Sequence, residues 1–235
     1  MTLVSAARRR RVVSLGAVLA IAAVVVAALI VASSSGAGSG EKAPSGAVSG
    51  AGAARALFAG VPQRGAVLGD SKAPVRVVEF ADLQCPFCRA YSLDVMPGLV
   101  QRYVRAGKVR MEFRNLAFIG PDSGRMARLA EAAALQNKMW NLADLLYANQ
   151  GRENTGYATD AFLRRVAGAV PGLDVNRAFA ERDGARVTDA LKAANKAATR
   201  AGVSSTPAFL VGRGTALRAV DAAGLPAAIR AAVGR

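Results

Sequence analysis

Histidine is absent from this chain of 235 residues, and cysteine occurs only twice, at Cys85 and Cys88. A structural zinc site draws four ligands from cysteine, histidine or carboxylates, so this inventory argues against one. Acidic residues are scarce as well: 16 Asp and Glu face 31 Lys and Arg, for a formal charge of +15. Such an excess could mark a nucleic-acid binder. No stretch interleaves basic residues with aromatics, however, and nucleic acid is not expected as a partner. The chain has no internal repeat. Hydrophobic residues make up 52% of it, enough for a sizeable buried core.

Charge is missing altogether from one long stretch. Four arginines, Arg8 to Arg11, precede 21 residues without a charged side chain, Val12 to Ala32. At about 1.5 Å per residue, a helix of this length reaches the ~30 Å hydrocarbon thickness of a bilayer. A cleaved signal peptide is the competing reading, but its apolar core is usually only about 7–15 residues. The length favours an uncleaved anchor, and the lack of a nearby cysteine excludes lipoprotein processing. On this reading residues 1–11 are a basic cytoplasmic N-terminus, 12–32 the transmembrane helix, and all that follows lies outside the cytoplasm. Disulfides persist in that compartment. Residues 33–59, which begin "SSSGAGSGEKAPSG", read as a flexible linker, and 60–235 as the folded domain.

Within that domain, "APVRVVEFAD" (73–82) has β-branched residues after a proline and reads as a buried strand. A helix should follow over roughly 86–106, with Tyr91, Val95, Leu99, Val100, Tyr103 and Val104 at helical spacing. Pro97 should bend or break it near Met96. "KVRMEFRNLAF" (108–118) predicts a second strand. An alanine-rich block from 124 to about 202 predicts at least three helices, with Asp160, Asp174 and Asp183 as caps. "TPAFLVG" (206–212) and "TALRAV" (215–220) predict two strands one tight turn apart. A closing helix is expected from Asp221, as its cap, to Val233. The order describes an α/β fold with a helical insertion at about 120–200.

The two cysteines lie in "FADLQCPFCRAY" (80–91), where strand gives way to helix. A bridge across two residues closes almost no loop, so a purely structural disulfide gains little there. Idle buried thiols have no reason to occupy such a junction, but a redox pair does. Cys85 would face unsatisfied amides and the positive end of the helix dipole, which favour thiolate and lower its pKa. Cys88 follows one turn deeper on the same face, within reach of the Cys85 sulfur. Pro86 suits the first helical position, where no amide donor is needed. A thiolate of low pKa is also a good leaving group, so the disulfide form is readily attacked.

These residues resemble those of the DsbA-like thiol-disulfide oxidoreductases of the thioredoxin superfamily, in their membrane-anchored form from Gram-positive-type bacteria. The likeness runs from about residue 67 to the end. "VLGDSKAPVRVVEFADLQCPFC" is similar to that family's entry strand and active site. "KMWNLADLLYANQ" (138–150) is similar to a helix of its inserted domain, and "AGVSSTPAFLVG" (201–212) to its cis-proline loop and strand. The resemblance implies a thioredoxin fold with an inserted helical domain, preceded by a single N-terminal transmembrane helix. It implies Cys85 as the attacking sulfur, Cys88 as the buried resolving one, and Glu79 as a buried acid that helps move protons from Cys88. Pro207 matches the cis-proline, and Thr206 the residue before it that helps select substrates. The backbone around Thr206 would hydrogen-bond an extended substrate strand. Pro86 and Phe87, between the cysteines, belong to the same substrate-facing set.

Two positions depart from the family's pattern. In some relatives the buried acid pairs with a lysine on the next strand, where this chain has Phe113. Phe87 stands where the family's best-known oxidant has a histidine, and it offers the Cys85 thiolate neither charge nor hydrogen bond. A weaker oxidant is therefore expected. The implied activity is donation of the Cys85–Cys88 disulfide to exported cysteine-containing proteins by a monomer at the cell membrane. No metal or organic cofactor is implied. Reoxidation would fall to a membrane quinone-linked partner of the DsbB or vitamin K epoxide reductase type. Two alternatives stay open. One is a reductase or isomerase of the same fold, serving cytochrome maturation or disulfide repair. The other is a non-catalytic envelope binding or chaperone module.

Overall fold

The computed structural model describes residues 46–234, so the expected cytoplasmic N-terminus, the expected anchor and most of the expected linker lie outside the described residues. Among the described residues no helix is long and apolar enough to cross a membrane. Helix α1 (Ala51–Phe58) comes first, followed by two short strands, β1 (Gln63–Arg64) and β2 (Val67–Leu68). Strand β3 (Val75–Ala81) leads to α2 (Pro86–Ala90). The chain stays helical through a π-helical turn (Tyr91–Val95), α3 (Met96–Leu99) and a second π-helical turn (Val100–Val104). β4 (Val109–Asn115) ends this crossover. The helices α4 (Pro121–Ala134), α5 (Met139–Ala148), α6 (Asp160–Gly168), α7 (Val175–Glu181) and α8 (Ala185–Arg200) come next. A hairpin of β5 (Ala208–Arg213) and β6 (Ala216–Val220) precedes the last helix, α9 (Leu225–Val233).

The strands form one sheet in the order β1-β2-β4-β3-β5-β6. β3 and β4 run parallel, joined by the helical crossover, and the other neighbouring pairs are antiparallel. Between β4 and β5, β3 is buried along most of its length, which is why it reads as a nearly continuous apolar run. Its side chains alternate between two cores. Val77 and Ala81 belong to the larger one, with residues of the crossover, α5, α6 and α9. Val78 and Phe80 belong to a smaller one with Ala194 and Ala198 of α8. Glu79 shares the parity of Val77 and Ala81, so a buried acid points into the core that contains Cys88.

The structure departs from the sequence reading at several points. The expected linker ends in α1, where Ala54, Leu57 and Phe58 are buried. Their spacing of three and four residues is a helical stripe, masked in the sequence by the Gly-rich stretch before it. Asn149 ties down the approach to α1: its side chain accepts from the Ser49 amide at 2.9 Å and donates to the Ser49 carbonyl at 3.0 Å. Pro97 does not break the helix. Its ring would collide with the carbonyl four residues back, and the chain widens into a π turn in which the Met96 amide reaches the Tyr91 carbonyl.

Three acidic caps also shift. Thr159, rather than Asp160, caps α6, and the Asp160 carboxylate is drawn to Arg182 instead. α8 begins after Gly184, while Asp183 pairs with Arg128 and Arg182. Asp221 accepts from the Gly224 amide in a turn ahead of α9, which starts at Leu225. Asp174 does cap α7, accepting from the Arg177 amide at 3.0 Å.

If α1 is part of the core, Leu57→Ala lowers stability by roughly 2–4 kcal/mol, the usual cost of truncating a buried leucine. Denaturant or thermal unfolding of the full chain reads this directly. A linker at this position would leave the transition where it was.

Candidate active site

β3 brings the chain to residues 82–85 and α2 carries it away, so the cysteines sit at the carboxyl end of a central strand. Cys85 is the N-cap of α2, with extended backbone, and Pro86 takes the first turn, where a missing amide leaves no bond unmade. The Cys85 sulfur accepts from the Cys88 amide at 3.4 Å. While protonated, it also donates to the Thr206 carbonyl at 3.4 Å, across 121 residues of sequence. The Thr206–Pro207 peptide bond is cis, and the loop that holds it leads into β5, the neighbour of β3. Both cysteines are free thiols. Cys85 retains 5% exposure, whereas Cys88 has none.

The two sulfurs differ sharply in acidity. The Cys85 thiol is lowered to about 6, chiefly by the hydrogen bond it receives from the Cys88 thiol. Burial opposes that shift, while a side-chain hydrogen bond from Thr206 and the amides of Cys88 and Phe87 reinforce it. The helix-terminal amides, which carry the argument from sequence, thus rank below the second sulfur. Cys88 is driven strongly upward, first by burial and then by its own bond to the Cys85 sulfur. At neutral pH one sulfur is a thiolate and the other keeps its proton.

Glu79 lies in the core beneath them at 1% exposure, in register with Phe113 on β4 and Phe209 on β5. Its Oε2 has no hydrogen-bond partner, and burial raises the carboxyl to about 8. Phe113 supplies no charge to offset that burial; its ring instead packs edge-on to Trp140 at 5.6 Å. Tyr91, one turn beyond Cys88, stacks at a tilt on Phe209 at 4.6 Å, and its buried hydroxyl is also unpartnered.

Of the residues expected to face a substrate, Phe87 is 73% exposed and Pro86 is exposed, while Thr206 and Pro207 are half-buried. Phe118, at 57% exposure, is the other large exposed apolar side chain among the described residues. The sequence reading placed it within a strand, but β4 ends at Asn115, three residues earlier.

A layer of polar contacts around the cysteine loop was not anticipated at all. Gln150 donates to the carbonyls of Leu83 and Cys85 at 2.9 and 3.3 Å. The Tyr147 hydroxyl donates to the Asp82 carbonyl at 3.3 Å, and Arg89 donates to the Tyr147 carbonyl at 3.0 Å. Through α5 and Gln150, two residues beyond its end, the inserted helices grip the loop from which the thiols project. Both Tyr147 and Gln150 fall in the stretch quoted for its resemblance, yet nothing in their spacing marks them as neighbours of the cysteines.

A family model described as thioredoxin matches residues 62–231. The chain is 40% identical over 113 residues to a probable disulfide bond formation protein D of Bacillus cereus, a match that covers 47% of this chain and 52% of that protein. The chain thus spans about half the length of the curated relatives of that name. Among solved structures, oxidised BdbD of Bacillus subtilis matches with a TM-score of 0.64 and 20% identity, covering 74% of this chain and 98% of that one. A thioredoxin-like oxidoreductase of Silicibacter pomeroyi matches at 0.59 and 29% identity, covering 77% and 98%. The chain belongs to the thioredoxin family, and its relatives in sequence include disulfide bond formation proteins D.

Proposed function

We propose that the chain is a thiol-disulfide oxidoreductase that works mainly as an oxidase, donating a Cys85–Cys88 disulfide to exported proteins. The observation that carries this reading is the inequality of the two sulfurs on one helical turn, an acidic one near the surface and a protonated one buried behind it. A substrate thiolate attacks the Cys85 sulfur, the Cys85–Cys88 bond breaks, and Cys88 leaves as a thiolate that must take up a proton. A second substrate thiolate then attacks its own sulfur in the mixed disulfide and expels Cys85 as a stable thiolate. Two electrons pass from the substrate to the cysteine pair, and the substrate keeps the new bond. A stabilised Cys85 thiolate favours the open dithiol, which makes the closed disulfide an oxidant.

Glu79, protonated at neutral pH in the same core, is the proton donor for Cys88. Thr206 and Pro207 present backbone to an extended substrate strand, and the exposed Pro86 and Phe87 add an apolar surface beside Cys85. The apolar run 12–32 would hold the domain outside the cytoplasm as a membrane-tethered monomer. A quinone-linked membrane partner of the DsbB or vitamin K epoxide reductase type would restore the disulfide. No metal or organic cofactor enters these steps.

The direct test is thiolate absorbance against pH in the reduced full chain. One thiol should titrate with a midpoint near 6, and Cys85→Ser should abolish that transition. A first transition near 8.5, the value of free cysteine, would sink the oxidase reading.

Oxidising strength should depend on the residue between the cysteines. Phe87→His adds a donor beside the Cys85 thiolate, and the equilibrium with glutathione should shift about tenfold or more toward the dithiol. An unchanged equilibrium would show that this slot does not set the potential.

Glu79 predicts a particular pH dependence of stability. Its folded pKa of about 8 lies above the usual 4.5, so between those values the folded chain holds a proton that the unfolded chain has lost. Stability from this group is complete below pH 4.5 and falls as pH rises toward 8, by on the order of 3 kcal/mol at pH 7. Glu79→Gln removes that dependence. Its unfolding free energy should pull ahead of the wild type between pH 5 and 8 while thiol exchange slows. Parallel stability profiles would mean that Glu79 is ionised in the fold.

A further inference from the structure

The Asp82 side chain is fully buried and has four donors around it. Oδ1 accepts from the Gln84 amide at 2.8 Å and from the Ser123 hydroxyl at 2.6 Å. Oδ2 accepts from the amides of Phe118 and Ile119, both at 3.1 Å. Three segments therefore meet on one carboxylate: the cysteine loop, the connection from β4 to α4, and the first turn of α4. Gln84 runs a second tie beside it, donating to Ser123 Oγ at 2.9 Å and accepting from the Asn154 amide at 2.8 Å.

The main chain of Asp82 faces the thiols. Its carbonyl accepts from the Cys85 amide at 3.0 Å, and its own amide is directed at the Cys88 sulfur. One residue thus touches both cysteines through its backbone and the helical insertion through its side chain. An asparagine cannot satisfy every partner: its NH2 would face the amides of Phe118 and Ile119 in one orientation and the Gln84 amide in the other. A buried charge is tolerated when its hydrogen bonds are complete, as they are here, and is costly otherwise.

We propose that Asp82 is a positioning residue, which locks the cysteine loop onto the helical insertion and so holds the Cys85 sulfur against its donors on Cys88. The proposal rests on the thiol-exchange reading of the two cysteines. A charge effect and a positioning effect have opposite signs here. A carboxylate near the Cys85 thiolate disfavours it, so loss of the charge alone would make Cys85 more acidic. Loss of the clamp lets the sulfur drift from the Cys88 thiol and amide and makes it less acidic. The other groups near the sulfurs are Thr206, Tyr147, the Phe87 amide and, beneath them, the buried carboxyl of Glu79. The Arg89 side chain is engaged by the Tyr147 carbonyl.

The experiment compares the full chain, Asp82→Asn, Ser123→Ala and Leu57→Ala by thiolate titration and by equilibrium with glutathione. Asp82→Asn should raise the Cys85 midpoint by about one unit, a tenfold loss of thiolate below the midpoint, and make the disulfide correspondingly harder to reduce. Ser123→Ala, which keeps the charge and cuts one tie, should move both readouts the same way by a smaller amount. Leu57→Ala should lower the melting temperature and leave the midpoint alone, which separates positioning from general loss of stability. A midpoint in Asp82→Asn that falls or stays put overturns the proposal. Should that variant fail to fold, an unmoved midpoint in Ser123→Ala overturns it instead. A wild-type midpoint near that of free cysteine would strike down the thiol-exchange reading itself, and the two failures are thereby distinguished.

Discussion

One interaction, between the buried Cys88 thiol and the Cys85 sulfur, sets the terms for the rest of the site. It is the largest cause of the acidity of Cys85 and the second cause of the weakness of Cys88 as an acid. It sets a fully buried Cys88 against a Cys85 that keeps 5% exposure. A helix that begins where a central strand ends gives this arrangement. Its cap lies at the carboxyl end of the strand and its first turn carries Cys88 into the core. With a midpoint near 6, about nine in ten Cys85 thiols are ionised at pH 7, and no imidazole is needed to reach that state.

The same burial that seals Cys88 strands Glu79. Flanked by Phe113 and Phe209 and lacking a partner for one oxygen, this carboxyl is held neutral at a cost that grows with pH. A leucine would fill the same parity of β3 without that penalty. A destabilising acid kept beneath two thiols makes sense if its proton is the one that Cys88 needs on leaving. The surrounding core must then supply the stability that the acid removes, and α1 is part of what does so. That helix extends the larger core with Ala54, Leu57 and Phe58, ahead of the first strand of the sheet.

Elements with strong local signals were legible in the sequence. β3 and β4 were readable because a β-branched run and a period of two are local properties, and so was the junction that holds the cysteines. What the sequence concealed was whatever depends on distant partners. Asp160 and Asp183 look like caps until arginines elsewhere claim them. Pro97 looks like a helix end until the chain adds a residue to the turn before it. Asp82 looks like an ordinary polar residue at the end of a strand, because three of its four donors come from residues 118, 119 and 123. Phe118 was drawn into a strand because apolar content continues past Asn115, where the ladder stops.

The cause that dominates at Cys85 also has a direction in time. A thiol can donate only while it carries a hydrogen, so the bond from Cys88 exists in the open dithiol and vanishes when the sulfurs join. The amides of Cys88 and Phe87 remain in both states. The stabilisation that the Cys88 thiol lends is therefore reserved for the reduced enzyme left after substrate oxidation and never reaches the starting disulfide. An oxidant built this way does not need a strained bridge. It needs a reduced state better satisfied than the oxidised one, which is what a buried second sulfur supplies and a ring at position 87 does not.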